Sequence, residues 1–227
     1  MISTKVLLTC GALFLATPVA PSLHAQTAGR AAMPSHTLVT MRGSDTVAVE
    51  NITPRERGLH IDVVLRSPRT TLTSYDVFYA TDGRPMSLTT MTYDPQQGFT
   101  DRPVALDHID RPAGSGIPFI DMVQWPVELM LQHIMHATTD TLTLSLVSGS
   151  GMIPVRMIRL GANRFTATHP SRGVMEIEAD SQGQLVELDS RGTANPLRVT
   201  RGSTADIAAL AAEFARRDAA ATPLHRQ

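Results

Sequence analysis

The stretch Leu59-His60-Ile61-Asp62-Val63-Val64-Leu65-Arg66 is apolar at every second position, and only Val64 breaks the alternation. Successive side chains of a β-strand point to opposite faces, so such a stretch buries one face and wets the other. Residues 141–146 repeat the pattern, with Leu142, Leu144 and Leu146 set against Thr141, Thr143 and Ser145. Weaker alternation runs through 37–41, 46–52, 71–79, 85–93, 152–160, 164–169, 173–179, 184–189 and 196–200. The 26 Thr residues suit the wet faces, since Thr is both β-branched and polar.

Turn signals separate these runs. Asp82-Gly83 marks a hairpin. Gly149-Ser150-Gly151, Gly161-Ala162-Asn163, Ser171-Arg172-Gly173 and Ser181-Gln182-Gly183 follow about 10 to 12 residues apart, the spacing of all-β chains. Connections this short make consecutive strands antiparallel neighbours. The C-terminal half reads as an up-and-down meander, and the N-terminal half as a less regular one.

Two segments depart from the strand period. Over 121–137 the residues Val123, Val127, Met130, Leu131 and Ile134 fall on one helical arc, and Asp121, Glu128, Gln132, His133 and His136 on the other. This predicts an amphipathic helix at about 122–137, with Pro126 marking its start and Trp125 just outside. Over 203–219, Ser203 stands at a capping position with Asp206 three residues on, and Ile207, Leu210, Ala211 and Phe214 form an apolar stripe. This predicts a second helix at about 204–219, with Arg216 and Arg217 suiting its negative end. Residues 94–118, rich in Pro, Gly and Asp, read as a linker or a long irregular loop. The fold class expected is mainly β (α+β), with antiparallel meanders forming a curved sheet or half-barrel, one helix between them and one at the C-terminus.

At the N-terminus Lys5 precedes an apolar run over 6–16, followed by Pro18, Pro21 and a cleavage site after Ala25. This is the layout of a secretory signal peptide, and the run is too short to span a bilayer. The organisation expected is a signal peptide at 1–25, a flexible leader at 26–34, one β-rich domain with an inserted helix at 35–202, and a C-terminal helix and tail at 203–227. An exported chain of this kind belongs in the periplasm or outside the cell. Without the leader the chain keeps 19 Arg against 21 acidic residues, with neither Lys nor Cys. It can then form no disulfide and offer no thiol nucleophile. Arg and Ala in place of Lys follow the codon usage of GC-rich bacterial genomes, where the sequon Asn51-Ile52-Thr53 goes unmodified.

Few residues suggest chemistry. His133 and His136 stand three apart on one helix face and could share a metal if Glu128, Asp121 or Asp140 supplied a third ligand. The competing reading places both on a wet helix face, and no Glu follows His133 as a zinc-protease helix requires. Asp107-His108-Ile109-Asp110 offers a base with an orienting carboxylate, in a stretch where turn chemistry also gathers polar residues. Ser115, Ser148 and Ser150 lie beside glycines, but none completes a nucleophile elbow. No phosphate loop is present, and scattered Arg with nine aromatics after the leader leaves no basic stripe for nucleic acid. No catalytic, cofactor-binding or metal residue is therefore assigned.

The ten Met after the leader include Met122, Met130, Met135, Met152, Met157 and Met175. Met adapts to ligands of varied shape and equally fills core gaps. In the order of its elements, residues 35–200 resemble the incomplete β-barrel proteins of the bacterial envelope, such as the periplasmic lipoprotein-carrier proteins. The resemblance implies a role in holding an acyl chain or another apolar ligand. No residue motif carries it, so no binding residue transfers. Three readings follow. The first is a non-enzymatic exported protein that binds an apolar molecule or envelope partner in its helix-covered sheet. The second is a metal-dependent hydrolase using His133 and His136. The third is a structural module acting through its sheet edges.

Overall fold

In the computed structural model of the protein, residues 34–221 are described, apart from 67, 80–84, 101, 111–115, 149–150, 171, 191 and 194–195. The expected signal peptide with Lys5 and Cys10, most of the 26–34 leader, the Asp82-Gly83 turn, Ser115 and Ser150 lie outside the described residues.

The first meander comprises β1 (His36–Arg42), β2 (Asp45–Arg55), β3 (Gly58–Arg66), β4 (Thr70–Tyr79), β5 (Pro85–Tyr93) and β6 (Ala105–Asp110). A short β7 (Ile117–Pro118) leads into helix α1 (Trp125–His136). The second meander comprises β8 (Thr141–Ser148), β9 (Gly151–Arg159), β10 (Arg164–His169), β11 (Gly173–Ala179), β12 (Leu185–Asp189) and β13 (Arg198–Gly202), and helix α2 (Ile207–Ala221) follows. All thirteen strands form one sheet, ordered β6-β5-β4-β3-β2-β1-β13-β12-β11-β10-β9-β8-β7. Within each meander the neighbours are antiparallel, as short connections require. Antiparallel pairing of β1 with β13 joins the two halves, with Val39 opposite Thr200. Only β7 and β8 are parallel, because the chain returns through α1 between them.

One core shows how the sheet bends. Every strand except β6 contributes a buried side chain to the cluster around α1, from Leu38 on β1 to Val199 on β13. A flat sheet of this width could not bring all these strands to one helix, so the sheet curls around α1. It stays open, with β6 and β7 at its two ends. The convex face is covered in part by α2, whose Ile207, Ala211 and Phe214 pack on Val49, Val64 and Leu72. Val64, the residue that breaks the alternation in β3, is therefore buried from the other side. Asn51 fixes the approach to α2: its Nδ2 donates to the Ala205 carbonyl at 2.6 Å.

Several expectations need correction. Residues 94–118 contain β6 and β7 and are not wholly irregular. Helix α2 begins at Ile207, and Asp206 rather than Ser203 caps it, accepting the Ala209 N–H at 3.0 Å. Helix α1 begins at Trp125, so this residue lies inside it. Glu128, assigned above to the wet arc, is 2% exposed. Its angle on the wheel places it away from the apolar arc, but α1 sits inside a curled sheet that covers more than one of its faces.

Candidate functional site

The concave face and the helix that fills it form the most elaborate site in the molecule. Eight of the twelve α1 residues are buried, among them Trp125, Met130, Leu131 and Ile134. Trp125 lies against Tyr75 of β4, with ring centroids 6.0 Å apart. Met130, Met157 and Met175 are buried in this core and fill it, whereas Met152 is 62% exposed on β9. The turn between β11 and β12 presses on the helix: Gly183 has φ +79°, and a Cβ there would stand 3.0 Å from Met135 Sδ. Open grooves of about 260 and 390 Å³ lie on the opposite, convex face, beside Glu176 and Asp189.

Polar groups on the sheet hold α1 at three levels. At its N-terminus the first N–H groups have no partner within the helix, and Gln124 offers no side-chain cap. Glu50 of β2 takes that role. Its Oε1 accepts the Gln124 N–H at 2.8 Å and its Oε2 the Trp125 N–H at 3.0 Å. In the middle, Glu128 Oε1 accepts from His36 Nε2 and from the Leu185 N–H, both at 2.8 Å. Gln184 Nε2 donates to the Pro34 carbonyl at 3.1 Å and lies 3.3 Å from His36 Nδ1. A proton on His36 Nε2 lets the ring donate to Glu128 and leaves Nδ1, which also lies 3.3 Å from the Pro34 carbonyl, to accept from Gln184. At the C-terminus Arg159 donates to the Ile134 carbonyl, one of the last in the helix.

This interior is costly in electrostatic terms. Glu50 is fully buried, and burial pushes its carboxyl up to about 8, against the pull of the two backbone N–H bonds and with Glu128 adding to the rise. Burial, with Glu50 nearby, also pushes the Tyr75 phenol up to about 12. Gln124 Nε2, Trp125 Nε1 and Thr40 Oγ1 are buried without a hydrogen-bond partner among the described residues. Groups of this kind weaken a core that apolar side chains could fill.

A second polar cluster decorates the convex face. His60 Nδ1 lies 2.8 Å from Asp76 Oδ1, its Nε2 lies 3.2 Å from Asp62 Oδ1, and Ser74 Oγ donates to Asp62 Oδ1 at 2.5 Å. The bond that His60 donates to Asp62, then the opposing effect of burial and the bond it donates to Asp76, leave His60 above its ordinary value. Both carboxylates engage the imidazole, and Arg55 Nη1 lies 3.5 Å from Asp76 Oδ1 at the edge of the cluster.

The residues singled out in the sequence are not brought together. His133 is half-buried and His136 exposed at the end of α1, and Asp121 is exposed and paired with Arg172. Asp140 lies near Arg159 at 3.6 Å. Among the described residues no group of three His, Cys, Asp or Glu side chains is placed to hold a metal ion. His108 lies on a strand, with Thr89 Oγ1 at 2.8 Å and Asp110 Oδ1 at 3.2 Å, while Asp107 faces the other side of the sheet. Ser148 closes the turn after β8 onto the Gly151 carbonyl at 3.4 Å. Glu50, Glu128 and His36, which do converge, carried no motif.

No protein-family model matches this chain. No curated protein matches it either. Among solved structures, a DUF1089 family protein from Pseudomonas aeruginosa aligns with TM-score 0.47 and 11% identity, covering 63% of this chain and 89% of that one. The strand order and core of the chain itself make the architecture an open, curved β-sheet, and no helix of the described residues is long and apolar enough to cross a membrane.

Proposed function

We propose that this is an exported, non-enzymatic protein of the bacterial envelope whose concave sheet face receives an apolar ligand in the place that α1 fills. The observation that carries this reading is the way the helix is held. A sheet wide enough to curl around a guest is left open, and its apolar face is covered by a short segment tied down through ionisable groups. Hydrophobic burial would drive uptake, and no covalent step is involved. The signal-like N-terminus and the Met-rich interior support the same reading.

A second reading is favoured by β6, whose six residues are all exposed at the sheet edge, with Leu106 at 66% and Ile109 at 43%. There the protein would be a structural module that pairs through its edge.

The chain's single Trp reports on α1 directly. Native mass spectrometry and Trp125 fluorescence on adding palmitate test the proposal together. A palmitate adduct with a red-shifted emission is expected. No adduct, with emission unchanged, overturns ligand uptake. A cross-link through β6 in that case supports the edge reading.

A further inference from the structure

We propose that Glu50 is a pH-operated latch on α1: with its carboxyl protonated the helix stays seated, and loss of that proton frees the helix's N-terminal end. The inference stands whatever guest the concave face takes.

The geometry carries it. Glu50 is 0% exposed, and its two oxygens take the two backbone donors that open α1. In the seated helix those donors bond to this carboxyl; once the helix lifts, water takes its place. Among the described residues, the elements packed around Glu50 supply no compensating cation. From α1 it faces Glu128, which is also acidic, and from β4 it faces Tyr75. Across β3 its partner is the apolar Val63, and across β1 it is Leu38. His36, farther along β1, is committed to Glu128. A bare carboxylate in this setting is stabilised by two N–H dipoles but loses its hydration, and burial outweighs the dipoles. Lifting the end of the helix returns the carboxyl to water.

The backbone is strained just ahead of the helix. Met122, two residues before the N-cap, has φ +64°, a left-handed conformation that costs an L-residue free energy. Phe119 is anchored ahead of it through its N–H on the Val147 carbonyl at 2.8 Å, so lifting the helix end must also unseat the buried Val123 and Gln124.

The titration sets the size and sign of the effect. Seated, the carboxyl loses its proton at about 8; in water it does so at its ordinary 4.5. Between these values the lifted state binds one proton fewer. Its population relative to the seated state therefore rises by about tenfold per pH unit.

Hydrogen-exchange mass spectrometry on the purified chain tests this. After correction for intrinsic exchange, protection over 124–130 should fall by about tenfold per pH unit from pH 5.5 to 7.5, relative to β10 and β11. In Glu50→Gln that slope should vanish. A wild-type profile that is flat relative to β10 and β11 overturns the proposal, even if the variant does not fold. A variant that keeps the wild-type slope also overturns it, because another group would then be titrating.

Discussion

At the scale of single residues, two histidines separate buried from exposed polar contacts. His36 is 6% exposed, and its removal leaves Glu128 in the core with, among the described residues, the Leu185 N–H as its remaining hydrogen-bond donor. Stranding a buried carboxylate is expensive, so His36→Ala should lower the unfolding free energy by about 3 kcal/mol. His60 bridges Asp62 and Asp76 on the convex face, where water can replace it. His60→Ala should cost less than about 1 kcal/mol. Urea unfolding of both variants checks the contrast, and equal losses would contradict it. The residue that matters most for the helix, Glu50, was hidden in the sequence for a physical reason. It follows Val47-Ala48-Val49, where apolar residues on both faces mask the weak alternation of 46–52 and hide which way Glu50 points. The run arises because Val49 is buried under α2 while Ala48 and Glu50 face α1. Glu128 was misplaced for a related reason. A helical wheel places residues by angle and assumes that only the apolar arc is covered, but burial here follows from the curl of the sheet.

At the scale of elements, the strands were legible because period two survives wherever one face is wet. β10 and β11 fall within the expected bounds, and β5 does as well. β6 was missed because an edge strand exposed on both faces needs no alternation of apolar with polar residues, so Ala105 to Asp110 looks like loop. β7 has only two residues, Ile117 and Pro118, too few to show any period. The two helices differ in how firmly they are held. α1 buries eight residues within the curled sheet, whereas α2 buries only Ile207, Ala211 and Phe214 on its convex side. Phe214 also carries the Arg66 guanidinium 4.8 Å from its ring centroid. Phe214→Ala removes the largest of the three contacts and should cost about 3 kcal/mol. The loss should be local. Exchange protection over 207–221 should fall while that of β10 and β11 holds. Equal loss in both places would mean that α2 is integral to the sheet's cooperative unit.

At the scale of the whole molecule, opposed titrations decide where the fold is most stable. Asp62 and Asp180 sit below the ordinary carboxyl value: burial would raise each, but bonds from His60 and Ser74, and from Gln184 and Arg201, outweigh it. Asp218 is lowered chiefly by the Thr70 hydroxyl. Their contributions are present above about 3.8 and lost as pH falls further. His169, lowered by burial, likewise favours the folded state on the alkaline side and loses its contribution as pH falls below 6.5. Glu50 runs the other way. Raised from 4.5 to about 8, it favours the fold fully below 4.5 and loses that contribution as pH climbs through 8. His60, raised by the bond it donates to Asp62, adds stability below 6.5 that disappears at higher pH. Glu50 has the widest interval between folded and unfolded values, so it dominates above pH 5. The melting temperature should therefore peak near about pH 5 and decline steadily to about pH 8. Thermal melts across pH 3 to 9 read this directly. Glu50→Gln should flatten most of the alkaline decline and leave the acid limb in place, because the aspartates that set that limb lie elsewhere. A wild-type optimum at pH 7 or above would show that the interior carboxyl is ionised and stabilised in place, and that α1 is fixed rather than latched.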